Sequence, residues 1–322
     1  MKIELLITEK RTGKLWDCAN NVTTCTYTTN RTGTAGTFKF TILKAGDISF
    51  VEGDVVRFSV DGQLVFYGWV FTKDKDRWGV IEVTCYDRLR YLKANASYSF
   101  YGQTAGDIIR QIAGDLQIDV GTLDDTGYKI PSLIKPDCTC FDTIGAAIDQ
   151  TLLNTGKLFV LFDDGNGLSM RESGKMLSDT VIGDSSLVTN YNYKTDIDEQ
   201  TYNSVKLAMP NEETGKAEIY IAQDSANIER WGMLQLYQRV DGDKNAAQLK
   251  EQAEVTLKYY NRRMRTLKLE SLGVVGLNAG MMVLTKIKGL GDISLDQYVL
   301  IERATHTFTN DLHTMELELY NF

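Results

Sequence analysis

Residues 53–71 read GDVVRFSVDGQLVFYGWVF. β-Branched and aromatic residues flank the dipeptide Asp61-Gly62, which suits a two-residue hairpin turn because both central positions of such a turn need positive φ. The stretch predicts a β-hairpin. After a polar turn over residues 73–77, WGVIEVTCYD supplies a further strand in which Val80, Glu82 and Thr84 alternate with Ile81, Val83 and Cys85. Strands following one another without a helix imply an antiparallel sheet or barrel, so residues 1–95 are expected to form a first β-barrel domain.

The pattern changes near Tyr98. Thr104 with Asp107 has the spacing of a capping box that opens a helix over 105–116, with Ile108, Ile109, Ile112, Ala113 and Leu116 at helical intervals. Thr139 with Asp142 marks a second start, Phe141, Ile144, Ile148 and Leu152 one face, and Gly156 the C-cap. KLFVLFDDGNGLSMRE then reads as two short strands. Residues 96–188 are expected to be a small α+β domain.

Residues 189–322 return to strands: TYNSVKLAM, AEIYIAQ, MLQLYQRV, RTLKLESLG, MMVLTKI, YVLIERATHTF and HTMELELYNF. A long helix over about 243–266 interrupts them. Ala246, Leu249, Ala253, Leu257, Tyr260, Met264 and Leu267 give it one narrow apolar stripe, read as covering a second barrel. The later block echoes the earlier one. EGDVVRFSV, LVFYGWVF and IEVTCYD are matched by AGMMVLTKI, YVLIERATHTF and MELELYN; Glu52-Gly53 aligns with Ala279-Gly280, and Glu82, Tyr86 and Asp87 with Glu316, Tyr320 and Asn321. The expected fold is β-rich α+β: two similar antiparallel β-barrel domains flank the α+β domain, and the long helix is inserted in the second barrel.

Composition bounds the function. The chain has 322 residues, 35 Lys+Arg against 43 Asp+Glu, and 43% hydrophobic residues, enough to build cores and too acidic for general nucleic-acid binding. No apolar run approaches the ~18 residues of a membrane span, and the charged start MKIELLITEKRTGK does not resemble a secretory signal, so cytosolic maturation is expected. Five cysteines without a regular framework read as reduced thiols, and Cys138 and Cys140 have the wrong spacing for a redox pair.

Catalytic motifs are sparse. His306 and His313 lie near a hairpin tip at Asn310-Asp311 but lack a third ligand at metal spacing, which favours a structural role. Asp124-Asp125, Asp163-Asp164 and Glu212-Glu213 fall in turns and read as solvated loops. DGDKN at 241–245 begins like a calcium loop and then fails at Ala246 and Gln252; capping of the long helix by Asp243 explains it better. KYYNRRMR, holding Tyr260, Arg262 and Arg263, is a basic-aromatic patch read as the helix C-terminus, or more sharply as a surface for an acidic partner. No Walker loop, dinucleotide fingerprint, G-x-S-x-G or H-E-x-x-H occurs, so no cofactor, metal or catalytic residue is assigned.

Several segments in order resemble the XkdQ-like (YqbQ-like) proteins of phage tails and phage-tail-like contractile particles, relatives of the baseplate hub. They are Gly53-Asp54-Val55 with Phe66-Tyr67-Gly68-Trp69-Val70, then Cys85-Tyr86-Asp87-Arg88-Leu89 with Tyr91-Leu92, then Thr104-Ala105 with Asp107-Ile108-Ile109. Tyr202-Asn203-Ser204-Val205, Gly280-Met281-Met282-Val283, His306-Thr307-Phe308 and His313-Thr314-Met315 continue the series. The resemblance implies a non-enzymatic homotrimer whose two barrels per chain form a pseudo-sixfold ring joining a sixfold tail tube to a threefold spike. Other baseplate proteins and a tape-measure protein join the implied partners. It further implies assembly in the bacterial cytoplasm and residence in the virion baseplate. Phe66, Tyr67, Trp69, Trp78 and Trp231 are then candidate interface anchors, because large rigid side chains give much contact for little entropy loss. The alternatives are a peptidoglycan hydrolase of the tail and a carbohydrate- or receptor-binding β-module.

Overall fold

The computed structural model describes residues 1–43, 48–198, 200–211, 216–240, 245–309 and 312–320. The first block holds β1 (Ile3–Thr8), β2 (Leu15–Asp17), β3 (Val22–Asn30), β4 (Thr37–Leu43), β5 (Val55–Val60), β6 (Gln63–Lys75) and β7 (Val80–Tyr86). Asp61 and Gly62 take φ of 49° and 82°, and Val60 pairs with Gln63 across them, so the predicted hairpin turn forms. Period-two alternation puts Phe58, Phe66, Val70, Ile81, Val83 and Cys85 into one core.

The middle segment holds β8 (Asn95–Gln103), α1 (Ala105–Asp115), β9 (Val120–Leu123), β10 (Ile130–Thr139), α2 (Cys140–Thr155), β11 (Phe159–Asp163) and β12 (Leu168–Glu172). The capping box forms as its spacing predicts: Asp107 N–H donates to Thr104 Oγ1 and Thr104 N–H to Asp107 Oδ2, both at 3.1 Å. Thr139 caps α2, and Gly156 ends it in the left-handed conformation. Both helices bury their apolar faces with Phe100, Leu133, Phe159, Leu161 and Met170.

After β13 (Leu177–Gly183) and β14 (Val188–Asp196) the chain enters a second compact unit, residues 193–266. In it β15 (Ser204–Asn211) pairs antiparallel with β16 (Lys216–Gln223), α3 (Ser225–Trp231) follows, and β17 (Gln235–Arg239) pairs parallel with β15. α4 (Ala246–Tyr260) buries Leu249 and Ala253 against Val205, Leu207 and Val240. This corrects the expected helical insertion in two respects. The helix covers this small sheet rather than a barrel, and it stops at Tyr260. At its end Tyr260 O accepts from the Tyr202 N–H (3.2 Å), and just past it Arg262 O accepts from the Thr201 hydroxyl (2.9 Å). Asn245, with Gln248 in a capping box, caps α4, while Asp243 lies outside the described residues.

The chain then returns to the first unit with β18 (Met264–Leu272), β19 (Met282–Leu290), β20 (Ile293–Thr309) and β21 (Leu312–Tyr320). Met264 and Leu267, expected in the helix, belong to a strand whose Leu267, Leu269 and Ser271 alternate inward. The early and late blocks do not stand as two separate closed barrels. They join in one 13-stranded sheet through an antiparallel β3–β20 ladder running from Asn30↔Arg303 to Cys25↔Phe308, and among the described residues its path from β14 to β2 stays open. Phe308 of β20 joins the first block's cluster, packing edge-on against Phe58 (5.1 Å).

The internal echo is present in the strand order, with one difference in direction: β1 runs antiparallel to β5, whereas β13 runs parallel to β19. The order β3-β4-β7-β6-β5-β1 is repeated as β14-β18-β21-β20-β19-β13. Val55 and Val56 of β5 face Trp69 and Gly68, as Met282 and Val283 of β19 face Leu300 and Val299. The ladder slips between Val70 and Thr72 of β6 and, at the matching place, between Ile301 and Arg303 of β20. Shared bulges at one position mark a duplicated unit, because a bulge is a specific local insertion rather than a property of sheets in general.

Candidate assembly interface

The outward face of β6 and β7 carries a run of aromatic rings. Trp69 stands edge-on to Tyr67 (5.7 Å) and to Tyr91 (5.4 Å), and Phe71 edge-on to Tyr86 (5.2 Å). All but the exposed Tyr91 are half-buried. Two guanidinium groups tie the rings: Arg88 lies over Tyr67 (5.0 Å) and Trp69 (5.5 Å), and Arg90 over Phe71 (5.4 Å) and Tyr86 (5.9 Å).

Arg88 is itself buried, anchored on Asp163 by Nη1 at 3.0 and 3.2 Å from the two carboxylate oxygens and by its own N–H at 2.9 Å. The turn after β7 is thereby pinned to β11. Beside it, Asp87 Oδ2 accepts from Gly36 N–H and Oδ1 from Leu89 N–H. Burial pushes both carboxyls up, Asp87 well above the usual range with Asp163 adding like charge. The reading of Asp163-Asp164 as a solvated loop is therefore corrected at Asp163, whose side chain is 2% exposed. Asp164 is in the turn and accepts from Asn166 N–H, Gly167 N–H and Ser169 Oγ. Glu212 and Glu213 lie outside the described residues.

The structure distributes the remaining candidate anchors. Phe66 is a core residue, 2% exposed and stacked on Phe38, so it presents no surface and is withdrawn as an anchor. Trp78 is 76% exposed at the tip of the β6–β7 hairpin, with Arg77 over its ring at 4.4 Å; Asp76 Oδ1 accepts from the N–H of Trp78 and of Val80 and fixes the turn. In the second unit, Trp231 ends α3 under Arg230, and Tyr260 packs edge-on to Tyr202 and Tyr259. Arg262 is exposed over Tyr259, and Arg263 is half-buried. The helix ends inside this patch: Lys258 lies in the last turn of α4, and the two arginines follow just beyond its C-cap Asn261.

His306 and His313 come together: His306 Nδ1 is 3.0 Å from His313 Nε2, and its Nε2 is 2.9 Å from Leu277 O. Burial lowers both, His313 to about 4 with His306 adding to the effect. Among the described residues no group of three or more His, Cys, Asp or Glu side chains is placed to hold a metal ion, and no helix is long and apolar enough to cross a membrane. Sequence reasoning missed the Arg88–Asp163 anchor, whose partners are far apart in the chain, and it missed α3, for which Asp224 three residues before Asn227 was the available capping signal.

A family model described as YQBQ-like matches residues 25–320, and the chain belongs to that family. XkdQ, from the phage-like element PBSX of Bacillus subtilis (strain 168), is 31% identical over 284 residues, covering 86% of this chain and 85% of that protein. Among solved structures, the fold is similar to a 43 kDa tail protein of prophage MuSo2 from Shewanella oneidensis, with a TM-score of 0.73 at 14% identity over 98% of each chain. It is similar to a tail protein from Neisseria meningitidis MC58 to the same degree, with a TM-score of 0.73 at 15% identity over 100% of this chain and 97% of that one.

Proposed function

We propose that this chain is a structural, non-enzymatic subunit of the baseplate hub of a phage tail or phage-tail-like contractile particle. The observation that carries the reading is the duplicated β unit, with its matched strand order and matched bulges. Three copies of a chain holding two such units give six similar units around one axis, a pseudo-sixfold ring able to face a sixfold tube on one side and a threefold spike on the other. Family membership and the phage-like element that encodes the XkdQ relative support the same setting. The partners are then further copies of the chain, a tail-tube protein, a spike protein, other baseplate proteins and a tape-measure protein, with assembly in the bacterial cytoplasm before incorporation in the particle. The two units would act as the paired barrel domains of the ring, their closure supplied by neighbouring copies.

A hydrolase would need a carboxylate or thiol–imidazole pair open to substrate. The perturbed carboxyls Asp87 and Asp163 are buried and occupied by backbone N–H groups and Arg88, which is the arrangement of a structural tie. Mass photometry and negative-stain microscopy of the purified protein, alone and with tube and spike proteins, test the reading. A ring-shaped trimer is expected. A chain that stays monomeric in all mixtures, or that clears peptidoglycan in a zymogram, counts against it.

A further inference from the structure

A cavity of about 320 Å³ lies in the first unit where β3, β11, the turn after β7 and the turn before β19 meet. That is the lower end of the roughly 300–1,000 Å³ range of small-ligand sites. Its wall changes charge from inside to outside. The buried side chains of Tyr27, Asp87 and Asp163 form the inner part, and the exposed Arg171 and Lys175 stand at the mouth. A second, smaller cavity reaches the same Tyr27, Asp87 and Asp163 from the side of β6.

The inner wall holds more negative charge than its partners balance. Arg88 is spent on Asp163, whose two oxygens each accept two bonds, from Arg88 and from Gly165 N–H. Asp87 accepts one N–H on each oxygen, half of a carboxylate's capacity, and among the described residues no cation forms an ion pair with it. Tyr27 supplies an independent sign. It is 6% exposed, lines both cavities, and its hydroxyl has no hydrogen-bond partner among the described residues. Its oxygen and Asp87 Oδ2 turn to the same spot, since a Cβ at Gly36 would clash with Asp87 Oδ2 and lie 3.4 Å from Tyr27 Oη. At the mouth, Lys175 is held by Glu172 at 3.2 Å, whereas Arg171 forms no ion pair among the described residues.

We propose that this cavity binds a small zwitterion of the amino-acid class, its ammonium between Asp87 and Tyr27 Oη and its carboxylate at the mouth with Arg171. A buried carboxylate with acceptor capacity to spare favours a charged donor, because charge-assisted hydrogen bonds are the strong ones and an unpaired buried charge is costly. A simple amine would meet two cations at the mouth, and a simple carboxylate would meet the acids inside. Only a molecule carrying both charges matches the whole wall. The site lies within one chain and does not depend on the trimeric ring.

Isothermal titration calorimetry of the full chain tests this with glycine, β-alanine, γ-aminobutyrate and glycylglycine, and with propylamine and propionate as single-charge probes. At least one zwitterion is expected to bind at least about tenfold more tightly than either single-charge probe, the scale of one hydrogen bond to a charged group. Tyr27→Phe keeps the ring against Phe66 and should weaken that zwitterion at least about tenfold, through loss of the hydroxyl alone. Arg171→Gln, at an exposed position, should remove the advantage over propylamine while leaving propylamine binding as it was. Thermal unfolding shows that each variant is folded, and Arg171→Gln carries the test if Tyr27→Phe is not. Binding of none of the four zwitterions, or equal binding to wild type and a folded Tyr27→Phe, overturns the site. Propylamine binding as tightly as every zwitterion overturns the assignment of a carboxylate to the mouth.

Discussion

Gly53 and Gly280 occupy the same place in the two β units. Gly53, at φ +89°, donates its N–H to Val70 O, and Gly280, at φ +87°, donates to Ile301 O, each at 2.8 Å. The return bonds match too, Val70 N–H to Asp54 O (3.0 Å) and Ile301 N–H to Met281 O (2.9 Å). This turn locks the entry of β5 and β19 against the bulged strand.

The two glycines differ in their surroundings, which separates conformational strain from crowding. A Cβ at Gly53 meets open space, whereas one at Gly280 falls 2.5 Å from Val160 Cγ1. Gly53→Ala should cost roughly 1–2 kcal/mol from the left-handed backbone alone. Gly280→Ala adds overpacking of the order of 1–3 kcal/mol. Urea unfolding of the two variants checks the order, and equal losses would contradict it.

Arg88 and Asp163 give a second test. Asp163→Ala leaves a buried guanidinium without its carboxylate and should cost about 3–5 kcal/mol. Asp119, 3.6 Å from Arg88 Nη2 but 77% exposed, should cost at most about 1 kcal/mol when changed to Ala. Thermal unfolding of the pair of variants compares them directly. The aromatic run over Arg88 should also lose its fixed arrangement in Asp163→Ala, seen as a reduced near-ultraviolet circular dichroism signal.

Local signals in the chain were sufficient for local structure. Asp61-Gly62, Thr104 with Asp107, and Thr139 with Gly156 each fixed a turn or helix end that forms as expected, because the groups that satisfy the backbone lie within a few residues of it. The repeat was legible for the same reason: Gly53 and Gly280 mark a backbone conformation that glycine adopts at little cost. What the sequence did not disclose was long-range pairing. Nothing local in the Thr-rich β3 specifies β20 as its neighbour, so two blocks joined through Phe308 read as independent barrels. Met264 and Leu267 were misassigned because apolar residues three apart fit a helix and also straddle a helix end followed by a strand. Among the anchors, Trp69 and Phe66 share one strand and look alike in composition; only the side of the pleat separates surface from core.

The histidine pair predicts a pH dependence. Each ring is held neutral in the fold, with its folded pKa below the ordinary value of about 6.5, so the unfolded chain takes up protons first as pH falls. Their contribution is complete above about pH 6.5 and is lost progressively toward pH 4, where His313 titrates in the fold. Asp87 and Asp163 act in the opposite sense, their raised values favouring the fold as pH falls, so wild type alone does not isolate the effect. The difference in unfolding free energy between wild type and His313→Gln should therefore shrink from pH 7.5 to pH 5. A constant difference would refute the assignment.

Phe66 and Trp78 make the sharpest contrast between packing and docking. Phe66 stacks on Phe38 at 4.9 Å and Tyr27 stands edge-on to it at 5.6 Å, so Phe66→Ala should cost about 3–5 kcal/mol, through lost burial and the cavity left behind. Trp78 touches solvent over most of its surface on a turn held by Asp76, and Trp78→Ala should change stability by no more than about 0.5 kcal/mol. Its exposed place at the tip of the β6–β7 hairpin, where packing does not require a large ring, gives it a different expected effect. Sedimentation velocity over a concentration series should show self-association weakened at least about tenfold in Trp78→Ala, the scale of an anchor residue worth more than 1 kcal/mol. A stable variant that assembles like wild type would remove Trp78 from the interface, and one that unfolds early would contradict the expected stability.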